Sequence, residues 1–173
     1  MAKIQINRLT NANIYMDGNN LLGRAEEIQL PQIKHKMTEH KALGMIGSAE
    51  FFSGIDKLEC KIKWNSLYPE VLRKAANPFK TVQLQARASL ETYNSMGKLA
   101  EVPAIAYISG TFKEFPLGNL KAGDNAEYET NLAVNYAKLI VAGEELFEID
   151  ILENIYKVDG VDIMQDYRNN IGG

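Results

Sequence analysis

The feature that most constrains the fold is an alternation of apolar and polar residues with a period of two, the period of β-strands. It is clearest in TVQLQARASLE (residues 81–91), where aliphatic side chains form one face and polar side chains the other. The same pattern occurs in KLECKIKW (57–64), in residues 127–141 and in LFEIDI (146–151). Strands with one polar face are typical of antiparallel sheets. We therefore expect a mainly β protein, an antiparallel β-barrel or sandwich.

Turn sequences rich in glycine and asparagine separate the predicted strands. They are Asp17-Gly18-Asn19-Asn20, Asn94-Ser95-Met96-Gly97, the loop 116–124, Ala142-Gly143-Glu144 and Asp159-Gly160. Several of the strands between them exceed ten residues, whereas five or six is usual. Long, half-polar strands in a small domain imply protruding hairpins or exposed edges, and exposed edges pair with other chains. The pattern thus indicates a protein that assembles.

Two short helices are predicted beside the strands. Ser66 is placed to cap the first helix, with Pro69 in its first turn and an end before Pro78. Asp162 is placed to cap a C-terminal helix, with Gln165 three residues later as in a capping box. We expect a single domain over residues 1–173 with a protruding hairpin at about residues 32–64.

Composition and charge exclude several classes of protein. The chain has 173 residues with one cysteine, so neither an intramolecular disulfide framework nor a cysteine-rich zinc site can form. The formal net charge of −3 does not suit a general nucleic-acid coat. Residues 144–173 contain eight acidic and two basic residues, whereas residues 1–143 contain 14 acidic and 17 basic residues. This polarity fits either head-to-tail self-association or a solvated acidic surface.

No candidate catalytic, cofactor-binding or metal-binding residue emerges. His35 and His40 fall on opposite faces of a regular strand, and Cys60 lies on an apolar strand face where a buried, inert thiol is expected. The sequence contains none of the common phosphate-binding, nucleophile-elbow or zinc-protease motifs. We expect no enzyme activity and no cofactor. The lack of a long apolar run or signal peptide predicts a cytoplasmic protein without stable membrane association.

The segment between the strand candidates 32–40 and 49–64 should form a hairpin tip, yet it is apolar. A tip of this kind either folds back onto its own core or docks into a neighbouring subunit. Its apolar and glycine residues are Leu43, Gly44, Met45, Ile46 and Gly47.

Three segments resemble the major tail tube protein of contractile-tailed bacteriophages and phage-tail-like (R-type) bacteriocins. They are NIYMDGNNLLGRAEEIQLPQI (13–33), LGMIGSAEF (43–51) and YAKLIVAGEELFEIDILENIYKVDGVDIMQDYRNNIGG (136–173). Their order and spacing match the family over nearly the whole chain.

This resemblance implies a structural subunit rather than an enzyme. Six copies would form a ring, and the rings would stack into the rigid inner tube of a contractile tail. The implied partners are other copies of the chain, the sheath protein, the baseplate or tube initiator, and the tail terminator. In a phage, DNA would pass transiently through the bore. The implied location is the tail of a virion or bacteriocin particle, assembled in the bacterial cytoplasm.

The candidate subunit-interface residues come from the tip, the first turn and the acidic C-terminal part. They are Leu43 to Gly47 with Asp17, Gly18, Glu148, Asp150, Asp159 and Asp162. A tube subunit of a secretion or injection apparatus is an alternative with the same architecture. A small monomeric β-barrel that binds an apolar ligand in its cavity is a third hypothesis, and it predicts a stable monomer with saturable ligand binding.

Overall fold

Antiparallel strands dominate the computed structural model, which describes residues 4–173. The elements are β1 (Ile6–Met16), β2 (Asn19–Asn20), β3 (Ala25–Gln29), β4 (His35–His40), β5 (Ala49–Ile55), β6 (Leu58–Trp64), α1 (Pro69–Ala75), β7 (Val82–Asn94), β8 (Gly97–Glu114), β9 (Tyr128–Val141), β10 (Glu144–Asp150), β11 (Ile155–Val158), β12 (Val161–Asp162) and α2 (Gln165–Ile171). The strands predicted from periodicity are confirmed as β6, β7, β9 and β10. β7, β8 and β9 contain 13, 18 and 14 residues, so the predicted excess of strand length is also confirmed.

The main sheet has the order β12-β11-β10-β9-β8-β7-β1-β2, and β3 and β6 join it through β9. Because β9 pairs with β6 in its first half and with β10 in its second, the sheet folds over itself. The result is an open, sandwich-like fold rather than a closed barrel, which resolves the predicted choice between the two.

Three hairpins close through two-residue turns that require positive φ at both positions. Asp17-Gly18, Ala142-Gly143 and Asp159-Gly160 have φ values between 48° and 82°. This is the geometry that matches the twist of the flanking strands. The predicted turns are thus confirmed, and they fix the register of β1 on β2, of β9 on β10 and of β11 on β12.

The core lies between the long strands and the β3–β6 pair. Its largest fully buried side chain is that of Trp64, whose indole N–H donates to the Thr130 hydroxyl at 3.0 Å. α1 seals one end of this core with Val71 and Ala75. Cys60 is buried as predicted, and burial raises the pKa of its thiol to about 12, so it is inert at neutral pH.

Both predicted helix caps are wrong by a few residues. Tyr68, not Ser66, precedes α1, because the residue before Pro69 is held extended and the helix can begin only at the proline. Met164, not Asp162, precedes α2. Asp162 lies in β12 and accepts a hydrogen bond from the Met164 N–H at 3.0 Å.

The strand predicted for residues 49–64 is interrupted at residues 56–57. β4 and β5 form a separate two-stranded sheet, whereas β6 belongs to the main sheet. The Asp56 carboxylate accepts the Lys57 N–H at 2.9 Å, and this local turn separates β5 from β6. The hairpin is therefore narrower than residues 32–64.

Truncating Trp64 tests the core directly. We expect Trp64→Ala to lower the free energy of unfolding by about 3–5 kcal/mol, because it leaves a cavity and an unpartnered Thr130 hydroxyl. Urea denaturation of both proteins measures this difference. Leu67→Ala, at a site 46% exposed, is the control and should change stability by only about 0.5 kcal/mol. Equal stability of wild type and Trp64→Ala would refute the assignment of the core.

Candidate assembly surfaces

Within the described residues 4–173, residues 6–13 of β1 have a partner strand on only one side. β7 pairs with β1 over residues 6–16, but β2 covers the opposite side only at Tyr15 and Met16. On the far side of the sheet, residues 97–102 of β8 pair with β7 alone, and the Pro103 C=O accepts the Ala142 N–H. The fold therefore presents two long unpaired edges, the condition under which strands of separate chains join.

One face of the long-strand sheet carries charged side chains in each of β1, β7, β8, β9, β10, β11 and β12, with Pro103, Ile105 and Ile140 among them, and we call it the polar face. The cross-strand register defines it. Its charged members are the cations Arg8, Arg87, Lys98, Lys138 and Lys157 and the carboxylates Glu91, Glu101, Glu145, Glu148, Asp150 and Asp162.

Most cations of the polar face are neutralised within the chain. Lys138 pairs with Glu145 at 3.2 Å, and Lys157 pairs with Glu148 at 3.3 Å. Lys98 bridges Glu101 and Glu91, two carboxylates that lie directly opposite each other. Hydrogen bonds to these two carboxylates raise the pKa of Lys98 to about 12. The face is thus polar and close to neutral, without a free basic stripe.

The predicted interface residue Glu148 lies at the centre of this network. Partial burial raises its pKa, but hydrogen bonds from the Tyr136 hydroxyl and Lys157 outweigh that effect and hold the pKa below its ordinary value. Burial, followed by the hydrogen bond to Glu148, raises the pKa of Tyr136. Glu148 is therefore a charged residue at neutral pH that is already satisfied by its own chain.

Two other predicted acidic residues also have partners in the chain, and a third does not. Asp150 accepts the backbone N–H groups of Leu152 and Glu153, at 3.1 and 3.2 Å. Asp162 pairs with Arg168 at 2.5 Å. Asp159 is the exception: it is exposed in the β11–β12 turn, and the described residues 4–173 offer it no ion-pair partner.

Asp17, predicted as an interface residue with Gly18, fastens its turn to α1. Its carboxylate accepts the Gln83 N–H at 2.8 Å and the Lys74 ammonium at 2.5 Å. Although partial burial raises its pKa, these hydrogen bonds prevail and lower the pKa below 3.8.

The predicted tip residues Leu43 to Gly47 lie together at the end of the β4–β5 hairpin. The Met45 N–H donates to Ala42 C=O at 3.2 Å and closes a turn that contains Gly44. Leu43 and Ile46 are fully exposed, at 106% and 110% of their reference surface. The tip does not fold back onto its own core, so that alternative is wrong.

The stem of this hairpin carries a feature that sequence reasoning missed. Glu39 and Glu50 lie directly opposite each other, a destabilising arrangement in an isolated pair of strands. The described part of the chain provides no cation to bridge them, unlike Lys98 between Glu91 and Glu101. The His35 ring makes an edge-to-face contact with Phe52, and the His40 ring makes one with the adjacent Phe51, so the two histidines lie on opposite faces as predicted.

Residues 4–173 offer little that could bind a metal ion or cross a membrane. No group of three or more histidine, cysteine, aspartate or glutamate side chains in that range is placed to hold a metal ion. No helix in the same range is long and apolar enough to cross a membrane.

Comparison with known proteins identifies the family. The profile of the phage tail tube protein FII family matches residues 6–172. The tail tube protein of Escherichia phage P2 is 28% identical over 169 residues, 95% of this chain and 96% of that protein. The major tail tube protein of Serratia phage KSP20 is 26% identical over 155 residues, 88% of each chain.

Among solved structures, a chain of an extracellular contractile injection system, the PVC sheath–tube complex in its extended state, has the same fold. The TM-score is 0.54 at 11% identity, over 75% of this chain and 86% of that chain. These matches define a structural class, the tail tube proteins of contractile phage tails and related injection systems, which are not enzymes. The chain belongs to the phage tail tube protein FII family. The resemblance noted in the three sequence segments is thereby confirmed.

The Asp17 contacts predict a pH-dependent contribution to stability. The folded-state pKa is lowered, so the contribution is complete above the ordinary value of 3.8 and is lost as the pH falls through the folded-state pKa. We expect Asp17→Asn to cost about 1–3 kcal/mol at pH 7 and much less at pH 2 to 3. Urea denaturation at both pH values measures this, with Asp124→Asn as the exposed control. If Asp17→Asn lowers the free energy of unfolding equally at both pH values, the charge on Asp17 does not contribute to stability.

Proposed function

We propose that this protein is the repeating subunit of a rigid inner tail tube, in which six copies form a ring and the rings stack. The observation that carries the proposal is the family match over residues 6–172. The unpaired edges of β1 and β8 supply a physical reason for assembly. The proposal treats the chain as a single tail-tube domain with a protruding β4–β5 hairpin.

Ring closure would join the two unpaired edges of neighbouring copies. A contact between different edges is heterologous, and it closes into a ring when its rotation divides a full turn. Hydrogen bonds between β1 of one copy and the opposite sheet edge of the next would satisfy backbone groups that water satisfies in the monomer. Closure of all six sheets would produce one large barrel without edges.

The polar face would then line the bore. It carries five cations and six carboxylates, a near balance, and most of its cations are paired within the chain. Each phosphate that a wall neutralises adds affinity for DNA, so a wall with few free cations would let DNA pass without holding it. This property suits a phage tail, and it does not exclude an empty bore.

The partners follow from the place of the tube in such a particle. The structural relative comes from a sheath–tube complex, so a sheath protein is the proposed outer partner. A baseplate or initiator at one end and a terminator at the other would bound the stack. The proposed location is the tail of a virion or phage-tail-like particle, assembled in the bacterial cytoplasm.

An injection apparatus remains a second candidate because that structural relative belongs to one. The subunit would form the same kind of tube in a phage tail and in an injection apparatus, and the two particles would differ in the cargo that the tube carries. Nuclease-protected DNA in purified particles would favour a phage. A monomeric ligand-binding barrel is not supported, because the sheet is open and buried side chains fill its interior.

The hairpin tip tests the assembly proposal. We expect Ile46→Asp to leave the fold intact, because Ile46 is fully exposed, and to abolish tube growth by placing a charge in an apolar contact. Met45→Asp should act in the same direction. Electron microscopy of wild type and variants, with tail initiator present, gives the readout, and circular dichroism checks the fold.

Ser48→Asp, at the end of the same tip, is the matched control for added charge. The Ser48→Asp protein should still form tubes, because the new carboxylate replaces a polar side chain rather than an apolar one. Tubes of normal length from both Ile46→Asp and Met45→Asp would show that the tip is not part of an interface.

A further inference from the structure

The sequence contains two Asp-Gly pairs, Asp17-Gly18 and Asp159-Gly160, and they form nearly identical turns. Each pair is the two-residue connection between adjacent antiparallel strands. The φ values are 48° and 82° in the first turn and 49° and 79° in the second. In both turns the aspartate N–H donates to a backbone carbonyl of another strand, at 2.8 and 3.1 Å. The backbone therefore places the two aspartates in the same local setting.

The two turns differ in what holds the aspartate carboxylate. One oxygen of Asp17 accepts the Gln83 N–H at 2.8 Å, and the other accepts the Lys74 ammonium at 2.5 Å. Within residues 4–173 the exposed Asp159 carboxylate has neither a hydrogen-bond partner nor an ion-pair partner. The side chain of Asp17 is thus fixed away from its own turn, whereas that of Asp159 is free to rotate toward the glycine that follows it.

An aspartate that precedes glycine can react with its own backbone. The glycine nitrogen attacks the aspartate Cγ, an N–Cγ bond forms, the Cγ–OH bond breaks, and the hydroxyl leaves with the amide proton as water. The product is a five-membered succinimide. Addition of one water to either of its carbonyls restores aspartate or gives isoaspartate, in which the main chain runs through Cγ. Glycine favours the attack because it has no Cβ beside the nitrogen.

The glycine nitrogens of the two turns are equally accessible. A Cβ added to Gly18 or to Gly160 would meet no atom within 4 Å. In the described part of the chain, the N–H of neither glycine donates a hydrogen bond. The freedom of the aspartate carboxylate, rather than that of the glycine, therefore distinguishes the two turns.

We propose that Asp159-Gly160 is a site of spontaneous succinimide and isoaspartate formation, and that the contacts of the Asp17 carboxylate protect Asp17-Gly18 from the same reaction. The substrate is the main chain itself, and water is the only co-reactant. The reaction takes place in the unassembled subunit and does not depend on the proposed tube function.

Isoaspartate at residue 159 would disturb the C-terminal part of the fold. It adds one carbon atom to the main chain of a turn whose length fixes the register of β11 on β12. That register places Asp162 opposite Lys157, and Asp162 holds Arg168 of α2 at 2.5 Å. We expect the amides of α2 to exchange hydrogen at least fivefold faster in the modified protein, separated by chromatography, than in fresh protein. Equal exchange rates would overturn this effect on α2.

Oxygen-18 labelling of the full chain tests the site itself. The folded protein is kept at about pH 6 and 37 °C in water enriched in oxygen-18, digested with trypsin and analysed by tandem mass spectrometry. Each passage through the succinimide adds one labelled oxygen to the residue. The tryptic peptide that follows Lys157 also contains Asp162 and Asp166, which serve as internal controls. We expect at least tenfold more label at Asp159 than at Asp17 or at either control.

Two variants make the test specific. Gly160→Asn adds a Cβ beside the attacking nitrogen with a residue that tolerates positive φ, so the label at Asp159 should fall at least fivefold. Lys74→Met removes one of the two donors from the Asp17 carboxylate and should raise the label at Asp17 without changing that at Asp159. Circular dichroism checks that both variants fold.

Each result decides one part of the proposal. Label at Asp159 no higher than at Asp162 and Asp166, or unchanged by Gly160→Asn, would overturn the succinimide site. Equal label at Asp17 and Asp159 would overturn the protective role of the Asp17 contacts. Because labelling is measured on the unassembled subunit, none of these results bears on whether the protein forms a tube.

Discussion

The unpaired edge of β1 is the constraint on which the rest of the structure depends. Eight residues of strand backbone, 6–13, have hydrogen-bond partners on one side only, and a second unpaired edge lies across the sheet in β8. A soluble monomer usually covers such edges with charge, bulges or helices. Here α1 closes the core instead, at the other end of the long strands. The backbone N–H and C=O groups along this edge are therefore available to pair with a strand of another copy.

The charges of the polar face are the second feature that bears on assembly. On the polar face Lys98, Lys138 and Lys157 are each matched to a carboxylate of a neighbouring strand. Within residues 4–173, Arg8 and Arg87 of the same face have no carboxylate partner, and Glu39 and Glu50 on the hairpin have no cation partner. The chain therefore neutralises most, but not all, of the cations on the polar face.

The strands with strict alternation, such as β7, could be predicted from the sequence because each has one buried face and one face exposed to solvent. Sequence reasoning also recovered the turns, since Asp-Gly pairs are suited to positive φ, whereas Ala142 adopts a positive φ beside Gly143 without that advantage. It misplaced both helix starts by ignoring how Pro69 restrains the preceding residue and how β12 extends to Asp162. The Glu39–Glu50 opposition and the Lys98 bridge depend on strand register and on bulges, which periodicity does not specify.

Cryo-electron microscopy of tubes grown from the purified protein with tail initiator tests the central claim most directly. The account predicts a six-fold ring in which β1 of each copy is hydrogen-bonded to the sheet of its neighbour and the polar face lines a hollow bore. Tubes in which the β1 edge faces solvent, or in which the polar face points away from the bore, would contradict it. Persistent monomers under these conditions would contradict it as well.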